Sequence, residues 1–337
     1  RNTKLNLQQI GNNRRVALVL QGDAHRALNR IVVNVRLVHV ESGESLWSGA
    51  FDREFNTTDF FQIQGEIAQT VAAVLQTGLS AQDMTALYRA PTSKLGAYRA
   101  VLRAREFQQS HSSASAARLA RKAITLDPAY ADAHLLLAGI HTRTLGSGLP
   151  NDAGHGEEIR TAINSAMNIR PDYGLAFAAL GLYQHASGAP GWEESFATAM
   201  QLDPGNVQTP YDYGLALHRS GQPLTASPLL IQASQRDPLA IDKWYALGQN
   251  HAVLGNFESA RNAFERIREI DPDSPLAYLP TSASYVYQGQ LHTALHWLQR
   301  AIVSQPSNLE LGGWILYLND CLENYETAHE WSNWLDQ

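Results

Sequence analysis

The first part of the chain alternates apolar and polar residues over short stretches. The run RVALVLQG, Arg15 to Gly22, has the length and apolar density of a strand and predicts one over about 15–21. In Arg30 to Glu41, RIVVNVRLVHVE, β-branched residues dominate, and Ile31, Val33, Val35 and Leu37 alternate onto one face, predicting a strand over about 30–41. Glu41-Ser42-Gly43-Glu44 reads as a turn, and Ser45 to Arg53, SLWSGAFDR, as a third strand over about 45–53 that closes a hairpin. Thr58 and Asp59 then offer an N-cap. Phe60, Ile63, Ile67, Val71, Val74 and Leu75 mark one side of a helix over about 59–79. Residues 1–14 leave room for a short helix. Three strands and one helix make a thin layer whose sheet edge needs cover, from further strands or from the rest of the chain.

From about residue 93 the pattern changes. Prolines following an Asp or a similar residue recur at Pro128, Pro171, Pro204, Pro238, Pro272 and Pro306, at intervals of 43, 33, 34, 34 and 34 residues. The unit ending at Pro272 carries Trp244, Leu247, Gly248, His251, Gly255, Phe257, Ala260 and Phe264. Period and pattern resemble the tetratricopeptide repeat (TPR), with His251 standing where Tyr is usual. Each position has a physical reason. Gly248 and Ala260 are small so that two antiparallel helices approach closely, Phe264 fills the gap against the next unit, and Pro272 follows the helix where a missing N–H costs nothing. The other units keep parts of the pattern: Tyr98, Phe107, Ala116 and Ala123; Leu137, Ala138 and Ala166; Phe177, Gly181, Phe196 and Ala199; Tyr213, Gly214, Ala226 and Leu230; Tyr278, Tyr285, Ala294 and Leu298. The second unit carries about nine extra residues within SGLPNDAGHG. Pro228 and Pro280 fall inside expected helices and should kink them.

The expected fold class is therefore mainly α: an α-solenoid of about seven helical hairpins over 93–337, preceded by a small, incomplete α/β domain over 1–82. Repeats end near 128, 171, 204, 238, 272 and 306, and Leu309 to Gln337 forms a C-terminal cap. Trp314, Trp331 and Trp334 either close that end, the preferred reading, or dock onto a further segment.

The first ninety or so residues resemble the TolB-N-terminal-like, or FlgO-like, α/β domain. The residues that carry the resemblance are Gly22, the strand Ile31 to Val40, Ser42-Gly43-Glu44-Ser45-Leu46-Trp47, Phe51-Asp52-Arg53, and then Phe60, Gln64, Glu66-Ile67-Ala68 and Val71-Ala72. Ala123 to Pro128, AITLDP, looks like the first repeat that follows this domain in such proteins. The first strand and helix of the family's domain have no counterpart here. The resemblance implies a module found C-terminal to a winged-helix DNA-binding domain in CadC-type regulators, or to a class III adenylate cyclase domain. Neither output domain occurs in this sequence.

Composition narrows the chemistry. Hydrophobic residues make up 44% and charged residues 17% of 337, enough for a buried core. The net charge of −6 argues against a general nucleic-acid or anionic-membrane surface. No apolar run approaches a membrane span. The single cysteine, Cys321, excludes an internal disulfide and a Cys-based zinc site. The sequence begins at Arg1 without a signal-peptide pattern and is read as part of something longer. No phosphate loop, nucleophile elbow or HExxH motif occurs. His292 and His296 have metal-ligand spacing but no third ligand beside them, so solvent exposure is expected. Asp52-Arg53-Glu54 reads as a surface ion cluster and Trp47 as core. No catalysis, cofactor or metal is expected.

Binding is the better reading. The first helix of each hairpin lines the concave side of such a solenoid. Its inward positions are Leu175, Leu182 and His185 in the third unit, and Gln208, Tyr211, Leu215, His218 and Arg219 in the fourth. Asp242, Tyr245, Gln249 and Val253 follow in the fifth, and Leu279 and Tyr287 in the sixth. This apolar and aromatic lining suits an extended peptide or an amphipathic helix, or else packs under the α/β domain or a second copy. The expected function is a non-catalytic sensory or protein-interaction region of a bacterial signalling or transcription-regulatory protein, binding a protein or peptide or self-associating. The alternative is a TPR scaffold for an envelope or secretion complex. Direct nucleic-acid contact is not expected, and membrane contact only through an upstream segment. The location would be periplasmic if a transmembrane helix lies upstream and cytoplasmic otherwise.

Overall fold

The computed structural model of the chain describes residues 16–54, 56–76, 84, 88–109, 112–145, 153–272, 274–304, 306 and 308–335. The expected helix over 1–14, the last residues of the helix over 59–79 and part of the insertion in the second repeat lie outside the described residues.

Three strands, β1 Leu18–Ala27, β2 Arg30–His39 and β3 Ser45–Glu54, form an antiparallel sheet in the order β1-β2-β3. The first hairpin carries little signal in the sequence. Its two-residue turn puts Leu28 at φ 51°, a left-handed conformation usually filled by Asn or Gly. Ile31, Val35 and Leu37 are buried on β2 as the alternation requires, and Val38 is buried beside Leu37. The register shifts between those two residues, and this irregularity lets neighbours in sequence both face inward. Trp47, expected in the core, is only partly buried. Its ring lies along the strand above Gly49, where a Cβ would come within 2.6 Å of it. Arg30 pairs with Asp52 at 2.9 Å and Arg53 with Glu66 at 3.8 Å, all four side chains solvent-exposed.

Helix α1, Thr57–Val74, is capped two to three residues before the expected position: the Asn56 side chain accepts from the Asp59 N–H at 2.8 Å. An Asn whose side chain also holds Asp59 outcompetes the Thr58 hydroxyl. Phe60 and Phe61 at its start meet Tyr98, with ring centres 6.0 and 5.1 Å apart, which ties α1 to the first helical hairpin.

The chain divides into two compact units, Arg1–Ala189 and Pro190–Gln337. The first holds the sheet, α1, the hairpins α2 Leu95–Gln109 with α3 Ser113–Leu126 and α4 Ala131–Leu145 with α5 Ala153–Ile169, and α6 Gly174–Ser187. The second holds α7 Trp192–Leu202 and four hairpins: α8 Gln208–Arg219 with α9 Pro223–Arg236, α10 Ile241–Val253 with α11 Phe257–Ile270, α12 Pro275–Val286 with α13 Leu291–Ser304, and α14 Leu309–Cys321 with α15 Tyr325–Leu335. Within these four, each helix packs on its hairpin partner and each hairpin on the next, the TPR-like solenoid arrangement.

The repeat residues act as their chemistry requires. A Cβ at Gly248 would sit 2.2 Å from the Phe264 ring, so α10 and α11 touch only because Gly has none. One period earlier, a Cβ at Gly214 would lie 2.8 Å from Leu230. Ala260 and Phe264 are fully buried and join Ala277 and Tyr278 of the following hairpin in one core. Three of the six repeat prolines, Pro128, Pro238 and Pro272, gain a second role. Six residues after the proline, a side-chain donor returns to its carbonyl: His134 to Pro128 at 2.9 Å, Trp244 to Pro238 at 3.0 Å and Tyr278 to Pro272 at 2.6 Å. After Pro204 that position is Pro210, which has no donor, and Arg236 reaches the Pro204 carbonyl instead at 2.7 Å. Helices α9 and α12 continue through Pro228 and Pro280 rather than ending there. His292 and His296 are exposed on α13.

Candidate functional site

Helices α8, α10, α12 and α14 are the first members of their hairpins and line one side of the second unit. Between them lies a cavity of about 1220 Å³. Its lining follows from helical spacing. Tyr245, Gln249 and Val253 stand i, i+4, i+8 on α10, Leu279 and Pro280 come from α12 with Tyr287 just beyond it, and Trp314 and Tyr317 stand i, i+3 on α14. Phe257 supports the floor by stacking on Tyr287, ring centres 6.1 Å apart. Trp314 and Tyr317 meet edge to face at 6.0 Å. Large apolar side chains here remain in water: Val253 is 65% exposed, Tyr287 75%, Tyr317 54% and Trp314 42%. The hydroxyls of Thr281, Ser282 and Ser284 on α12 turn to backbone carbonyls, so this wall is apolar despite its composition.

Polar groups lie at one margin. His218 Nδ1 is 2.9 Å from the side-chain oxygen of Asn250, and the Asn250 amide donates to the Pro223 carbonyl at 3.0 Å. Further along α8 and α10 is a charged cluster. The Lys243 ammonium is buried, 3.3 Å from Asp237 and 3.8 Å from Asp242, and faces the Tyr211 ring at 5.2 Å. Gln208 donates to Asp212 at 2.9 Å. Burial pushes the Asp212 carboxyl up to about 6; the Gln208 hydrogen bond and Lys243 oppose the shift, and Asp242 adds to it. Burial, with Asp242 and Asp212 nearby, raises the Tyr211 phenol too.

Of the inward positions read from the sequence, His218, Tyr245, Gln249, Leu279 and Tyr287 come together around the cavity, with Val253. Tyr211 and Leu215 pack instead against the core shared by the α8–α9 and α10–α11 hairpins. Gln208 and Asp242 belong to the charged cluster, and Arg219 is exposed at the end of α8. Leu175, Leu182 and His185 are partly buried on α6, in the first unit, and do not line this cavity. Sequence reasoning missed Phe257 and Tyr317, and gave Trp314 a closing role. The stripe Gly313, Trp314, Tyr317 on the inner helix of the last hairpin was the available signal. Trp331 and Trp334 do fold inward: Trp331 packs on the core, and Trp334 covers Gly312.

A smaller cavity of about 670 Å³ lies in the first unit, lined by Arg121, Leu137, His155 and Glu158 among others. Arg121 and Glu158 pair through two bonds of 2.7 and 2.8 Å. The neighbouring His141 is buried, which lowers its pKa against the pull of Glu158.

Residues 241–274, the α10–α11 hairpin and its flanks, match the tetratricopeptide repeat family. The "Putative adenylate cyclase 3" of Rhizobium meliloti (strain 1021) is 29% identical over 126 residues, 36% of this chain and 21% of that protein. The chain spans about a fifth of the length of the curated relatives it matches. Among solved structures, Pseudomonas aeruginosa pilF aligns over 62% of this chain and 91% of its own, with 20% identity and a TM-score of 0.50. The human IFIT1 dimer aligns over 77% and 59%, with 16% identity and a TM-score of 0.53. The fold is thus that of TPR-like helical hairpins behind a small antiparallel sheet, and such repeats are scaffolds for contact with other proteins.

Proposed function

We propose that the chain is a non-catalytic sensory or interaction region of a bacterial signalling or regulatory protein, which captures a protein or peptide segment in the aromatic cavity of its second unit. The observation that carries this reading is the exposure of Val253, Tyr287, Trp314 and Tyr317 around one cavity, since clustered apolar side chains left in water mark a surface made to be covered. The cavity's apolar walls and few polar points suit side-chain anchors from an extended or helical partner. The partial likeness to a protein named for adenylate cyclase supports the signalling setting. Tyr287→Ala with Tyr317→Ala, two exposed side chains of the lining, tests the reading by pull-down with the full chain. The variant should keep its thermal transition and lose its partners; an unchanged partner set would show the cavity is not the capture site.

A further inference from the structure

The charge around the cavity narrows the partner. The second unit, Pro190–Gln337, carries 7 Lys and Arg against 17 Asp and Glu, whereas the whole chain is nearly balanced. The cavity lining itself holds no carboxylate, and the acidic groups stand within a turn of lining residues. Helix α12, its middle wall, has no charged residue at all. Asp242 stands one turn before Tyr245 on α10, and Asp320 one turn after Tyr317 on α14, both exposed. The inner helices run parallel, because each alternates with an antiparallel partner, so these two carboxylates flank opposite edges of the lining. Glu258, exposed beside Phe257, adds a third. The cations of the second unit answer them only in part. Lys243 is shared between Asp237 and Asp242 and offsets one of the two, Arg261 and Arg300 reach from the outer helices over the Tyr285 and Trp297 rings, and Arg236 is bonded to a carbonyl. Arg219 is the exposed cation of the inner helices.

From this we infer that the cavity takes a basic amphipathic segment, in which aromatic or aliphatic anchors enter the uncharged centre and flanking Lys or Arg side chains meet Asp242, Glu258 and Asp320. The inference rests on the capture reading above and adds the partner's charge. Apolar anchors supply affinity, while the carboxylates raise the association rate and select against acidic segments. An exposed arrangement of this kind is screened by salt.

A phage library of random dodecapeptides, selected on the full chain and counter-selected on the full-length Tyr287→Ser/Trp314→Ser variant, tests it. Cavity-dependent clones should be enriched in Lys and Arg around Trp, Phe or Leu. Synthetic peptides from those clones should bind the Asp242→Asn/Glu258→Gln/Asp320→Asn chain on the order of ten-fold more weakly, and bind the native chain more weakly as salt rises. Cavity-dependent clones that are neutral or acidic would overturn the basic partner and leave the capture reading standing. So would basic peptides indifferent to the three carboxylates. An absence of cavity-dependent clones would overturn both. Both variants alter exposed side chains, and an unchanged thermal transition checks that each is folded.

Discussion

His218 and Asn250 meet across two neighbouring inner helices, Nδ1 to Oδ1 at 2.9 Å. Asn250 is fully buried, and its amide also holds the Pro223 carbonyl at the start of α9. One side chain thus fastens α8, α9 and α10 together beside the cavity.

Asn250→Ala removes both bonds and leaves the Pro223 carbonyl and the His218 ring without that partner. The expected loss is about 1–3 kcal/mol, read as a lower midpoint in urea. An unchanged midpoint would mean that water replaces the side chain at no cost.

Gly248→Ala pits two effects against each other. Helix propensity favours Ala by about 1 kcal/mol. The new Cβ, however, would lie 2.2 Å from Phe264, a fully packed ring on the facing helix. Overpacking of this kind costs about 1–3 kcal/mol or more, so the variant should be less stable. Adding Phe264→Leu should recover part of the loss. A higher melting temperature for Gly248→Ala alone would contradict the close approach of α10 and α11.

Asp212 carries a pH signature. Its folded pKa, about 6, lies above the ordinary carboxylate value, so the folded chain holds this proton where the unfolded chain has released it. The favourable contribution is complete below the ordinary value and is lost as pH rises through about 6. Asp212→Asn should therefore match the native chain near pH 3.5–4 and exceed it by about 1–2 kcal/mol at pH 7, a figure reduced for the part of the carboxyl that solvent still screens. Paired melts across this range measure it. A difference that does not vary with pH would remove the burial argument.

The helical hairpins were legible because every hairpin faces the same steric problem. Gly214 and Gly248 recur one period apart where a facing side chain leaves no room for a Cβ, and the prolines recur where each second helix must stop. Strand β2 was legible from its β-branched alternation. The turn at Leu28 was not, since a Leu gives no hint of a left-handed backbone. The cavity was legible in part. Counting along α10 and α12 reaches Tyr245, Gln249 and Tyr287, but the same count on α8 reaches Tyr211 and Leu215, which a neighbouring helix covers. Helical spacing says which residues share a stripe, and only the neighbours decide whether that stripe stays open.

The proline carbonyls bear on how such an array can be rearranged. Where Trp244 closes on Pro238 and Tyr278 on Pro272, the clasp is encoded within seven consecutive residues. A duplication or excision that keeps that short stretch whole carries its fastening along. The Pro204 clasp is of another kind, because its donor, Arg236, arrives from the far end of the same hairpin. That segment is inherited as one block or not at all, so a crossover between α8 and α9 would break a joint that crossovers elsewhere in the second unit leave intact.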